Sequence, residues 1–268
     1  MTSCRPGRAK QAPRNTTAPA PGARPQRLPW PNEMDTAGMS EVNWVVRDQR
    51  DTLMRDLAAD ICARLHGAIQ QRGIAFLAVS GGSTVKTLFP LLANTPIDWA
   101  HVRIGLVDDR WVDEFSADSN ERLVRELLLQ NKAVDAQFVP MKTPHASPEA
   151  GVAQRNQDYA ALPWPCDVML LGMGEDAHTA SLFPCSEELG RALTTDDVVV
   201  AVNPTTAPYA RMSLSLASVI NSRYIVVLTC GASKRAVLEA ALKDGPVADM
   251  PIRGALRATA PCAIYYAP

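Results

Sequence analysis

No run of apolar residues approaches the roughly 20 that a membrane-crossing helix needs, so a spanning segment is not expected. The six cysteines, at 4, 62, 166, 185, 230 and 262, include no CxxC pair. That argues against a zinc ribbon and against a disulfide framework, and it predicts reduced thiols in a cytoplasmic protein. GxGxxG and the Walker loop are both missing, which argues against dinucleotide binding and nucleotide hydrolysis. Acids are missing from one stretch altogether. Residues 1–31 hold six basic side chains and none that is acidic, which leaves 21 basic against 28 acidic side chains in the rest, a net charge of −7. A body so charged is a poor general binder of nucleic acid, so any anion must be met by positive charge focused at one place.

What is present divides in two. Residues 1–39 are rich in Pro, Ala and Arg without apolar periodicity, and are read as a disordered tail. Its prolines argue against the amphipathic helix of a transit peptide, and Met34 or Met39 is an alternative start. Residues 40–268 are read as a single catalytic domain; their hydrophobic content suffices for a packed core. Leu53, Leu57, Ile61, Leu65 and Ile69 recur every fourth residue and predict a helix that ends at Gly73. His66 lies beside that stripe and is assigned to packing or surface.

Further on, short strands alternate with helices. AFLAV, VRIGLV, DVMLL, VVVAV, YIVVLTC and CAIYYA are apolar throughout, as strands buried on both faces are. KTLFPLLAN, NERLVRELLLQ and SKRAVLEAALKDG read as helices. The alternation predicts an α/β fold, a three-layer Rossmann-like sandwich around a mostly parallel sheet. Ligands of such sheets bind beyond the carboxyl ends of the strands. Three polar clusters fall there: Ser80–Thr84, Asp108–Arg110 and Gly172–Thr179.

Each cluster suggests chemistry. In SGGST, Gly81 and Gly82 permit close approach of an anion to backbone N–H groups, and Ser83 and Thr84 add hydroxyls; a serine-capped turn would look the same. In DDRWV, Arg110 is either half of a local ion pair or a bidentate anion ligand held by the two aspartates. In GMGEDAHTASLFP, Asp176 stands two residues before His178, close enough to orient an imidazole that exchanges protons near neutral pH. Metal binding is disfavoured because His101 and His145 lack ligand spacing. A Ser181 nucleophile is disfavoured because GxSxG is absent. Water activation remains the better reading.

SGGST, DDRWV…SNERLV, LLGMGEDAHTASLFP and GASK, in that order, resemble the 6-phosphogluconolactonase family over roughly residues 45–267. The related glucosamine-6-phosphate deaminases share the strand-end Asp but continue differently after the histidine. The resemblance implies a cofactor-free enzyme that hydrolyses 6-phospho-D-glucono-1,5-lactone, a small-molecule substrate, in the oxidative pentose phosphate pathway. It implies His178 as general base, Asp176 as its orienting partner, and phosphate recognition by Ser83, Thr84, Arg110, Arg211 and Lys234. Gly81, Gly82, Asp108, Asn120 and Gly174 complete the expected site. Alternatives are an amino-sugar-phosphate isomerase or deaminase, and a non-catalytic phosphosugar sensor. No metal, nucleic acid or membrane partner is expected, and a monomer is the default.

Two departures from the family pattern stand out. Ala177 replaces a common glycine, from which a negative φ is expected at that position. Thr206 replaces a lysine, which would leave Arg211 with more of the phosphate charge.

Overall fold

A computed structural model describes residues 42–268; the tail expected over 1–39 lies outside the described residues. The chain begins with β1 (Asn43–Val46) and α1 (Arg50–Arg72). Leu53, Leu57, Ile61 and Leu65 of α1 are fully buried. Each contributes about 1.5–3 kcal/mol by leaving water, enough to fix the helix on the sheet although its outer face is charged. Gly73 ends α1 in the left-handed conformation, its N–H returning to the Ile69 carbonyl at 2.8 Å. His66 is exposed, as expected.

There follow β2 (Ala75–Val79), α2 (Val85–Asn94), β3 (Val102–Leu106), β4 (Asp108–Arg110), α3 (Asn120–Leu127), β5 (Gln137–Val139) and α4 (Pro148–Ala160). The second half comprises β6 (Val168–Leu171), α5 (Leu189–Thr194), β7 (Val199–Val202), β8 (Arg211–Leu214), α6 (Leu216–Ile220), β9 (Ile225–Cys230), α7 (Ala232–Ala241), α8 (Ile252–Leu256) and β10 (Cys262–Ala267). Seven strands form one sheet in the order β1-β10-β9-β6-β2-β3-β5. Every pairing in it is parallel. β2, β6 and β10 are buried at every residue, as the middle layer of a three-layer α/β sandwich must be.

From β2 the order runs outward through β3 and β5 on one side and through β6, β9 and β10 on the other, with β1 closing the far edge, so the switch point lies between β2 and β6. There the Ser80 N–H donates to the Leu170 carbonyl at 3.0 Å, and the Gly172 N–H to the Ser80 hydroxyl at 3.3 Å. Two sequence-distant strand tips are thereby tied together where a ligand of this fold class binds.

One expectation is corrected. VVVAV, read as a strand of the parallel sheet, supplies β7 of a separate antiparallel sheet ordered β4-β8-β7. Continuous burial reports cover on both faces, which α4 helps to give: the Asn156 side-chain oxygen accepts the Val198 and Val199 N–H groups at 2.7 and 3.0 Å. It does not report the direction of pairing. Asp108–Arg110 is likewise a strand of this second sheet, not a loop at the end of β3.

Candidate active site

A cavity of about 270 Å³ opens at the switch point. Gly81, Gly82, Ser83, Thr84, Asp108, Arg110, Asn120, His178, Arg211 and Lys234 all line it. The remaining two expected residues, Gly174 and Asp176, sit behind His178. Leu171, Met173, Thr229 and Cys230 also line the cavity and were not anticipated. They come from the ends of β6 and β9, whose apolar letters gave no sign of facing a ligand.

His178 is positioned from two sides. Its Nδ1 lies 2.5 Å from Asp176 Oδ1, leaving Nε2 as the nitrogen free to exchange a proton. The ring stacks on Phe183, centroids 4.0 Å apart and planes at 29°. The Arg211 guanidinium carbon lies 5.0 Å from the centre of the same Phe183 ring. A buried aromatic thus touches both the imidazole and a cavity arginine, and the sequence reading missed it. An aromatic five residues past a histidine was the available signal. Partial burial pushes the Asp176 carboxyl up, but the hydrogen bond and charge of His178 outweigh this and hold it below the usual aspartate range.

The turn carrying this pair is tight, with the Gly174 N–H donating to the His178 carbonyl at 2.9 Å. A Cβ on Gly174 would lie 2.1 Å from His178 Nδ1 and 2.4 Å from Asp176 Oδ1, so only glycine fits. The negative φ expected at Ala177 is wrong: it is +61°. The left-handed backbone costs an L residue about 1 kcal/mol. Burial of the Ala177 methyl returns about 0.8 kcal/mol, which is why alanine is tolerated. Ser181 is fully buried and its hydroxyl donates to Asp108 Oδ2 at 2.5 Å, a structural tie that leaves no attacking oxygen.

The aspartates do not hold Arg110, contrary to expectation. Asp109 accepts the backbone N–H groups of Arg110, Asn120 and Glu121 at 2.7–3.0 Å and so caps α3. Burial pushes its carboxyl up to about 7, against the pull of those N–H groups. Asp108 lies 3.9 Å from Arg211 Nη1. Arg110 instead donates to the Asp118 carbonyl at 2.7 Å and makes no ion pair among the described residues. Asn120, anchored by α3, donates to the Asp108 carbonyl at 2.8 Å. Its Oδ1 lies 1.8 Å from where a Cβ on Gly81 would be, so this glycine too is required.

Arg110 and Arg211 are direct cross-strand partners on β4 and β8. Burial lowers the pKa of Arg211, which Asp108 opposes and Arg110 reinforces. Its Nε is buried without a partner among the described residues. Lys234 reaches the Met173 carbonyl at 2.9 Å, which brings its ammonium from α7 to the cavity wall. Thr206 does not line the cavity; its hydroxyl lies 3.2 Å from Cys185 Sγ. The cavity therefore brings an aspartate-paired imidazole together with three cations and a glycine-serine loop.

The sequence family described as glucosamine-6-phosphate isomerases/6-phosphogluconolactonase matches residues 48–263. The chain belongs to this family. It is 41% identical over 229 residues to a 6-phosphogluconolactonase of Rhizobium meliloti, covering 84% of this chain and 99% of that protein. It is 38% identical over 216 residues to a 6-phosphogluconolactonase of Pseudomonas aeruginosa, covering 80% and 90%. The crystal structure of a 6-phosphogluconolactonase from Shewanella baltica superposes with a TM-score of 0.84 at 44% identity, over 86% of this chain and all of that one. The family's shared fold accounts for the single α/β domain over 42–268. No helix among the described residues is long and apolar enough to cross a membrane.

Proposed function

We propose that the chain hydrolyses 6-phospho-D-glucono-1,5-lactone to 6-phosphogluconate, with water activated by His178. The observation that carries this reading is the cavity lined together by His178, whose Nδ1 is engaged by Asp176, and by Arg110, Arg211 and Lys234. Nε2 takes a proton from water, and the hydroxide attacks the lactone carbonyl carbon. Asp176 keeps Nδ1 engaged so that the ring presents the correct nitrogen. Negative charge gathers on the carbonyl oxygen, where backbone N–H groups at the strand tips are suited to receive it. The imidazolium then returns its proton to the ring oxygen as the carbon–oxygen bond breaks, and the product carboxylate leaves ionised. General-base action of this kind supplies roughly 10²–10⁴-fold.

The phosphate sits on the Gly81–Thr84 loop and the three cations, away from the lactone carbonyl. Holding the anionic end fixes the lactone carbon over the imidazole, which converts binding energy into orientation. The Rhizobium, Pseudomonas and Shewanella relatives bear the lactonase name, which favours this chemistry over that of the isomerases in the same family. The enzyme on this reading works as a cytoplasmic monomer without a cofactor.

The test supplies freshly made lactone at mildly acidic pH, where spontaneous opening is slow, and follows acid release. His178→Asn should lose at least about 10²-fold in kcat; equal rates in parent and variant would exclude the base. Arg211→Ala should raise KM for the phosphorylated lactone far more than for gluconolactone. Parallel losses on both substrates would mean that Arg211 does not read the phosphate.

A further inference from the structure

A second cavity, of about 290 Å³, adjoins the first and shares Gly82, Ser83, Arg110 and Asn120 with it. Its outer wall adds Lys86 from α2 and Arg122 and Glu126 from α3. Arg122 is held by Glu126 Oε1 at 2.7 Å and by the Phe115 carbonyl at 2.9 Å. The Lys86 ammonium has no hydrogen-bond or ion-pair partner among the described residues, and the Arg110 fork is engaged only by the Asp118 carbonyl. Three cations against one carboxylate give this pocket a local charge of about +2, in a body whose remaining acids outnumber its bases. No step proposed for the first cavity uses Lys86 or Arg122.

We propose that this second cavity is a phosphate subsite, coupled to the first through Arg110. The ligand chemistry is a phosphate dianion, either free inorganic phosphate or the second phosphate of a bisphosphorylated sugar whose first phosphate occupies the main cavity. A tetrahedral dianion suits the donors present: the Lys86 ammonium as a point charge, the Arg110 fork as a bidentate partner, and the Ser83 hydroxyl. Because Arg110 borders both cavities, an anion in the second draws its guanidinium away from the substrate phosphate. Occupancy therefore raises KM for the lactone and leaves kcat in place.

The experiment titrates the full chain calorimetrically with inorganic phosphate, and separately with a hexose bisphosphate, at ionic strength held constant with chloride. The comparison is with Lys86→Met/Arg122→Gln, and with the charge-keeping Lys86→Arg. The double variant should bind one inorganic phosphate fewer than the parent, while Lys86→Arg keeps the parent's number. If both phosphates of one sugar span the cavities, the double variant also loses about tenfold in bisphosphate affinity. Retained affinity for the bisphosphate with loss of the inorganic ion identifies free phosphate as the occupant. Equal stoichiometry and equal affinity in parent and double variant overturn the proposal. Since no turnover is measured, that failure is distinct from failure of the lactonase reading. A kinetic arm checks the coupling: phosphate should raise the parent's KM at least threefold more than the double variant's, with kcat unchanged in both. Identical KM responses overturn the link through Arg110.

Discussion

Gly174→Ala isolates the placement of the imidazole from its identity. The added methyl carbon would stand 2.1 Å from His178 Nδ1, 2.3 Å from its Cε1 and 2.4 Å from Asp176 Oδ1. Carbon contacts settle at roughly 3.5 Å, so the pair must retreat by about an ångström or part. A shift of that size at a reacting group costs on the order of 10²-fold, or about 2.7 kcal/mol of barrier. The backbone itself accepts alanine, because Gly174 is not among the residues with positive φ. Replacing glycine also removes freedom from the unfolded chain, worth about 0.4–1 kcal/mol toward stability. The expected result is a kcat lower by about 10²-fold in a protein whose melting temperature stays within a few degrees of the parent's. Gly190→Ala, in α5 with nothing within 4 Å of the added carbon, is the control and should keep full activity. Initial rates on fresh lactone and a thermal melt decide the matter. A folded Gly174→Ala protein whose kcat lies within threefold of the parent's would refute the claim that the turn's shape sets the position of the base.

Three more expectations follow from the same geometry. Phe183→Leu keeps the apolar filling but removes the π face under His178 and Arg211, so kcat/KM should fall about tenfold, with kcat and KM both affected; a change in neither would make Phe183 mere packing. Cys185, lowered to about 7 chiefly by the Thr206 hydroxyl and then by Thr205, should be alkylated ahead of Cys62, which burial pushes up to about 11, and of Cys262, pushed up to about 12. Its thiolate should populate as pH rises through about 7, and Thr206→Val should move that inflection upward; an unmoved profile would discard the hydroxyl as the cause. Ala177→Gly relieves strain of about 1 kcal/mol but loses a buried methyl of about 0.8 kcal/mol and returns about 0.4–1 kcal/mol of freedom to the unfolded chain, so chemical denaturation should show a net loss of about 0.2–0.8 kcal/mol, and a gain in stability would void that balance.

Local pattern carried the parallel sheet into the sequence. The four-residue stripe of α1 and the apolar runs of β2, β6, β9 and β10 record burial that each segment experiences by itself. The second sheet was hidden for the opposite reason. β4 is three charged residues, Asp-Asp-Arg, and is a strand only because β8 lies beside it. β5 and α4 were missed as well, the one being three residues long and the other largely polar with a glycine inside. For the site, residue types were legible where a motif concentrates them, as at Gly81–Thr84 and Asp176–His178. Partnerships were not. Asp109 caps a helix that begins eleven residues later, and Asp108 binds Ser181 across 73 positions. Neither could be read from the neighbouring Arg110, to which both aspartates had been assigned.

The register that sets Arg110 opposite Arg211 has an energetic corollary. Like charges facing each other across a ladder repel, and here Asp108, 3.9 Å from Arg211 Nη1, and after it Asp109 offset the repulsion in part. A dianion lodged between the two guanidinium groups turns that mutual repulsion into shared attraction. On the proposed reading, cohesion of the small sheet and capture of a phosphate would be one linked equilibrium, in which the ligand supplies the missing counter-charge of the fold.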